Sequence, residues 1–182
     1  MDVLEFGYYL LWIAVSACGM TALLSLVGVG LKDRRYVVAA RSGFYIQFAL
    51  LLGVSACLVY GFVSGAYNNE YIFSHSERGL FFGYKLAGLW AGLEGSLIFW
   101  TVVLSALCAI AALQHRWSAR HPAGRRIEPF AYLVMCAVMG FFLFLSVHEN
   151  AFEGMELEQV LFNSQRFNVA LDGTGMGFCV PR

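Results

Sequence analysis

The sequence predicts an all-α integral membrane protein. Four transmembrane helices fall over about residues 6–31, 44–63, 96–113 and 130–147, with an interfacial or bent segment over about 80–95. Three observations predict this. The chain of 182 residues is 59% hydrophobic and 13% charged, with a mean hydropathy of +0.66, whereas soluble domains average roughly 45–50% apolar and about 25% charged. The apolar residues gather into runs able to cross a hydrocarbon layer, which takes about 20 residues each. The charges segregate: the loops after the first and third spans hold eight of the twelve Lys and Arg residues and two acids, Asp33 and Glu128. By the positive-inside rule those loops are cytoplasmic, so both termini and the segment before the third span face the outer side.

Phe6 to Leu31 carries no charge, and Asp2 and Glu5 precede it. A cleaved signal peptide has a positive start and a shorter apolar core, so a retained helix is expected. Lys32-Asp33-Arg34-Arg35 closes it, and Arg41 follows. The second run, Phe44 to Val63, is interrupted by Gln47, read as an amide tolerated near the interface or bonded to a neighbouring helix. Ser64 to Gly79 is polar and turn-rich and reads as a loop. Leu80 to Leu113 is too long for one span, so a bend is expected, with Gly92 and Gly95 as candidate bend points. Gln114 to Glu128 reads as a second basic loop, and Pro129 suits the start of the fourth helix. An acidic tail over 148–182 follows, too short for a core of its own. The whole is expected to form a single transmembrane domain over 1–182.

The stretch Tyr84 to Trp100 carries the distinctive chemistry. As one helix it places Gly88, Gly92 and Ser96 on one small stripe and Ala87, Ala91 and Gly95 beside it. Such stripes admit a close helix neighbour. Leu86, Trp90, Leu93, Leu97 and Trp100 form a bulky face. Trp90 and Trp100 offer a surface to a flat apolar ligand, although tryptophans also anchor helices at the interface with no ligand at all. Glu94 is the one acid in this apolar half. It is a functional candidate at membrane depth and an ordinary solvated acid at headgroup level. Lys85 lies nine residues earlier and is not placed to pair with it on a helix.

Other chemistries are excluded or weak. Five cysteines form no C-x-x-C, so covalent c-type haem attachment to this chain is not indicated. Cys18, Cys57, Cys108 and Cys136 lie in apolar runs and read as small hydrophobes; Cys179 lies in the tail. His75, His115, His121 and His148 all fall outside the spans, so no histidine can hold a haem within the four helices. His75 and His148 can reach the outer surface, where a solvated imidazole is the commoner state. No phosphate-binding glycine loop, zinc-protease or serine-hydrolase motif is present. Orientation accounts for the basic loops, so nucleic acid is not an expected partner.

Tyr84-Lys85-Leu86-Ala87-Gly88-Leu89-Trp90-Ala91-Gly92-Leu93-Glu94-Gly95-Ser96-Leu97-Ile98-Phe99-Trp100 closely resembles a signature of the CcmF/NrfE-type cytochrome c haem lyases, a Tyr-Lys followed by a Trp-Gly-Gly-x-Glu-Gly-Ser core and a Trp. Ala40-Arg41, Gln47, Tyr60-x-Phe62-Val63, Phe141 to Phe144 and Asp172-Gly173-Thr174-Gly175-Met176 match the same family. Ala91 departs from the pattern where a Gly is usual, and Leu93 where a polar residue is common. After Met176 the family continues to a His-Pro-Pro motif, then to a tryptophan-rich segment and haem-ligating histidines; here Gly177-Phe178-Cys179-Val180-Pro181-Arg182 stands instead. The resemblance therefore implies an N-terminal portion of a larger lyase in a bacterial inner membrane or an organelle equivalent. It implies cytochrome c maturation, in which haem is taken from a haem chaperone and ligated to apocytochrome c at the outer face. For this chain it implies a scaffold not active alone. Trp90, Glu94 and Trp100 would shape a haem surface, with no catalytic or metal-ligating residue and the haem ligands supplied by the remainder of the lyase. The alternative is a small membrane transporter or accessory subunit of a respiratory complex using Glu94.

Overall fold

The computed structural model describes residues 2–66, 69–75, 82–118, 122–154, 169–171 and 177–179. Four long helices, α1 (Val3–Leu31), α2 (Arg34–Ser64), α5 (Leu93–Ser118) and α6 (Pro122–His148), are each long and apolar enough to cross a membrane. The chain is thus a multi-pass membrane chain with the four spans expected. Two one-turn helices, α3 (Glu70–His75) and α4 (Phe82–Ala87), and a 3-10 turn, Gly88–Trp90, lie between the second and third spans. Two short strands, β1 (Val169–Leu171) and β2 (Gly177–Cys179), pair antiparallel near the C-terminus, with Ala170 opposite Phe178.

The long helices form a ring in which α1 packs on α2 and α6, and α5 packs on α2 and α6. Leu11, Ala14, Phe44, Leu51, Leu58, Ala112, Tyr132 and Leu143 fill its interior. Leu23, Leu26, Leu107, Val134 and Phe144 point outward and are exposed. An apolar exterior of this kind is what lipid, not water, would solvate. Small residues let the helices approach: Gly43 of α2 lies directly against Thr21 of α1. Cys18, Cys57, Cys108 and Cys136 are all buried in this packing, as small hydrophobes are.

Helix ends differ from expectation, and always toward longer helices. The linker between α1 and α2 shrinks to Lys32 and Asp33, because Lys32 adopts the left-handed conformation (φ 54°) and the Asp33 carboxylate caps α2 by accepting from the Arg35 N–H at 2.9 Å. Arg34, Arg35 and Arg41 are therefore helical. The expected loop Gln114 to Glu128 is mostly helix as well: α5 runs to Ser118, and α6 starts at Pro122. Pro129 is not the first residue of the fourth helix but lies inside it. Pro122 takes the first-turn place, where a missing N–H costs nothing. Ser64 to Gly79 is not wholly a loop either, since it contains α3.

Asn69 organises that region. It is buried, its side chain accepts from the Ile72 N–H at 3.0 Å, and its Nδ2 donates to the carbonyls of Ala151 and Glu153. It thus caps α3 and fastens it to the chain that leaves α6. Gln47 is likewise not at an interface: it is 2% exposed in the middle of α2, and neither end of its amide has a hydrogen-bond partner among the described residues.

Candidate functional site

Tyr84 to Trp100 is not one helix. It runs as α4, the 3-10 turn, a break at Ala91 and Gly92, and then α5 from Leu93. The bend falls at Gly92, one of the two points expected, and Gly95 lies within the first turn of α5. The cause of the break is Tyr71 of α3. Its phenol is buried beneath the turn and lies 2.9 Å from the Gly88 carbonyl and 3.1 Å from the Leu89 carbonyl, either of which its proton can serve. The same oxygen accepts from the Gly92 N–H at 3.3 Å. A broken helix leaves its end groups unpaired; here the phenol accepts from one N–H and donates to one of two carbonyls within reach.

The glycines therefore do not form a straight stripe for a neighbouring helix. They make room for Tyr71. A methyl on Gly95 would collide with the Tyr71 hydroxyl and the Leu89 carbonyl, and one on Gly92 would stand 2.7 Å from the Tyr71 ring. Gly88 lies against Phe62 and the His75 carbonyl. Phe62 meets the Tyr71 ring edge-on at 5.6 Å, and the His75 ring lies 4.7 Å from it. Burial pushes the Tyr71 phenol above its ordinary pKa; the Gly92 N–H opposes the shift and the charge of Glu94 adds to it.

The other face of the segment is open. Trp90 is 51% exposed and Trp100 is 56% exposed. Phe99 bridges them, its ring 5.7 Å from Trp90 and 5.6 Å from Trp100. The structure thus gathers Trp90 and Trp100 into one exposed aromatic shelf. Glu94 is half-buried on the Tyr71 side, where its Oε2 and the Cε1 of His75 flank Gly92 at 2.9 and 3.0 Å from the position of a methyl there. The side chains of Lys85 and Leu86 lie outside the described residues, as does the pattern at 172–176.

Among the described residues no three His, Cys, Asp or Glu side chains come together to hold a metal. His75 engages its Nδ1 with the Tyr71 carbonyl at 3.0 Å and the Ser74 hydroxyl at 2.9 Å. His148 is exposed at the end of α6. The side chains of His115 and His121 are outside the described residues. The rings of the shelf are tilted, Phe99 by 54° to Trp90 and by 71° to Trp100, so they offer apolar aromatic area and not one plane.

A second polar centre lies at the opposite end of the bundle. Glu128 is 1% exposed, and its Oε1 accepts from the Arg41 guanidinium and from the Tyr132 hydroxyl at 2.9 Å. Arg41 Nε also donates to the Tyr132 oxygen at 3.1 Å. The signal in the sequence was a base and an acid at the ends of two apolar runs, Arg41 before Phe44 and Glu128 before Phe130.

No family model matches the chain. Individual proteins do. It is 29% identical to the cytochrome c-type biogenesis protein ccl1 of Rhodobacter capsulatus, over 98% of this chain and 26% of that protein. It is 31% identical to a probable cytochrome c-type biogenesis protein NrfE of Escherichia coli, over 78% of this chain and 26% of that one. A solved structure titled cytochrome c haem lyase CcmF superposes with a TM-score of 0.71 at 19% identity, over 80% of this chain and 23% of that chain, a likeness of fold. The four-span fold is thus one shared with a solved cytochrome c haem lyase structure, and the sequence is similar to cytochrome c-type biogenesis proteins along nearly its whole length. Within that class the chain is similar to proteins of the CcmF/NrfE type. It spans about a quarter of the length of the relatives it matches. These relatives do not favour the transporter alternative.

Proposed function

We propose that this chain is the membrane scaffold that builds an outer haem-facing surface in a cytochrome c haem lyase. The observation that carries the reading is the exposed Trp90–Phe99–Trp100 shelf, set by the Tyr71-held break within the segment that resembles the family signature. Aromatic rings bury large apolar area against a flat ligand, so the shelf supplies contact area. Glu94 stands on the Tyr71 side of the segment, behind the shelf. Axial ligands come from the rest of the lyase, which is the first partner; a haem chaperone and an apocytochrome c follow from the reaction. The single transmembrane domain supplies position, and the acidic tail lies on the outer side with the shelf.

The test is co-expression with the C-terminal part of a CcmF-type protein, followed by purification and absorption spectroscopy. The expected result is a haem band in the complex, reduced when Trp90→Ala and Trp100→Ala are combined while the two parts still co-purify. An unchanged haem band in that double variant rules the shelf out.

A further inference from the structure

A cleft of about 650 Å³ opens at the end of the bundle opposite α3, between the α1–α2 turn and Glu128, Pro129 and Phe130 of α6. Its walls are apolar, with Val29, Val37 and Phe130 among them, and its rim carries Lys32, Arg34 and Asp33, whose carboxylate is engaged by the Arg35 N–H. Glu128 also lines it. The Oε1 of that carboxylate is taken by Arg41 and Tyr132, but Oε2 has no hydrogen-bond partner among the described residues. Arg34 stands 4.0 Å from Oε2, within ion-pair reach and beyond hydrogen-bond reach. A buried carboxylate oxygen without a donor carries a desolvation penalty that a donor would remove.

We propose that this cleft binds the headgroup of a phosphatidylethanolamine. The depth is right, since the cleft lies where the apolar α1 ends at Leu31 and gives way to Lys32, Asp33, Arg34 and Arg35, the basic end of the bundle. The charges are of both signs, as a zwitterionic headgroup requires. Lys32 and the half-exposed Arg34 take the phosphate, as basic pockets between membrane helices do. As Arg34 turns to the phosphate, the ammonium takes its place over Glu128 Oε2 and donates the missing hydrogen bond. The apolar walls receive the upper acyl chains. Phosphatidylcholine has the same phosphate and no N–H, and phosphatidylglycerol has no cation, so each lacks one half of the match. This site is independent of the haem-facing reading.

The experiment uses the delipidated full chain in detergent. Phosphatidylethanolamine, phosphatidylcholine and phosphatidylglycerol with identical acyl chains are added separately. Lipid retained through native mass spectrometry and the shift in Tm are measured. Charge-assisted hydrogen bonds support a preference for phosphatidylethanolamine of about tenfold or more. Lys32→Asn with Arg34→Gln abolishes that preference; Asn tolerates the left-handed conformation at 32, so the turn is kept. Val29→Trp, which fills the cleft from a partly exposed position, abolishes it independently. Equal retention of phosphatidylcholine, stronger retention of phosphatidylglycerol, or a preference untouched by both variants overturns the proposal.

Discussion

Tyr71 carries more of the α3 end than its sequence context suggests. It lies in a stretch whose composition reads as a loop, yet its hydroxyl accepts from one N–H of the broken segment and donates to one of two carbonyls there. Tyr71→Phe keeps the ring against Phe62 and His75 and removes those bonds, leaving buried polar groups unpaired at about 1–3 kcal/mol. The expected outcome is a changed tryptophan emission, because Trp90 and Trp100 stand on the released segment, with the bundle itself still folded by circular dichroism. Gly95→Ala should give a larger change, since its methyl meets both the Tyr71 hydroxyl and the Leu89 carbonyl. Alkaline pH provides a third handle. The folded-state pKa of Tyr71 is raised by burial, so its contribution is complete below the unfolded value of about 10 and is lost as pH rises beyond it. The emission change of Tyr71→Phe should therefore appear in the wild-type chain at high pH and be absent from the titration of the variant.

At the scale of helices, the Arg41–Glu128–Tyr132 centre ties α2 to α6. Removing one member of a buried ion pair leaves an uncompensated charge at a cost of about 3–5 kcal/mol, whereas replacing both with apolar residues of similar volume is often neutral. Arg41→Met and Glu128→Leu should each lower the Tm sharply, and the double variant should recover most of the loss. Additive losses would mean that the two residues act separately. This centre also shows where the sequence was legible and where it was not. Apolar runs located the four spans, because a 20-residue apolar stretch has few other fates. They mislocated the polar ends: Glu128 and Pro129 read as loop and helix start, and both lie within α6. Polar residues at a helix end are solvated whether helical or not, so hydropathy does not register them; a partner on another helix does. The tyrosine-held break was half legible. Gly92 marked the bend, but the single-helix stripe of Gly88, Gly92 and Ser96 concealed that the glycines serve a side chain more than ten residues upstream.

For the whole molecule, orientation decides whether the aromatic shelf can meet haem outside the membrane. The four-helix ring places α3, the shelf segment and Ala151–Phe152 at one end, and the α1–α2 turn with Glu128 at the other. Lys32, Arg34, Arg35 and Arg41 cluster at the second end, and Asp2, Glu5, Glu70, Glu149 and Glu153 at the first. Under the positive-inside rule the shelf end is extracytoplasmic. The native cysteines at 18, 57, 108 and 136 are buried, which suits labelling at introduced sites once Cys179 is replaced by serine. Ser64→Cys, exposed at the end of α2 beside α3, should react with a membrane-impermeant maleimide in intact cells. Arg35→Cys, exposed at the opposite end of the same helix, should react only after permeabilisation. The reversed pattern would put the shelf on the cytoplasmic side, where a surface for haem ligation outside the membrane has no use. The haem-facing reading would then fail even if haem were bound, while the phosphatidylethanolamine cleft, which depends on depth and not on side, would stand.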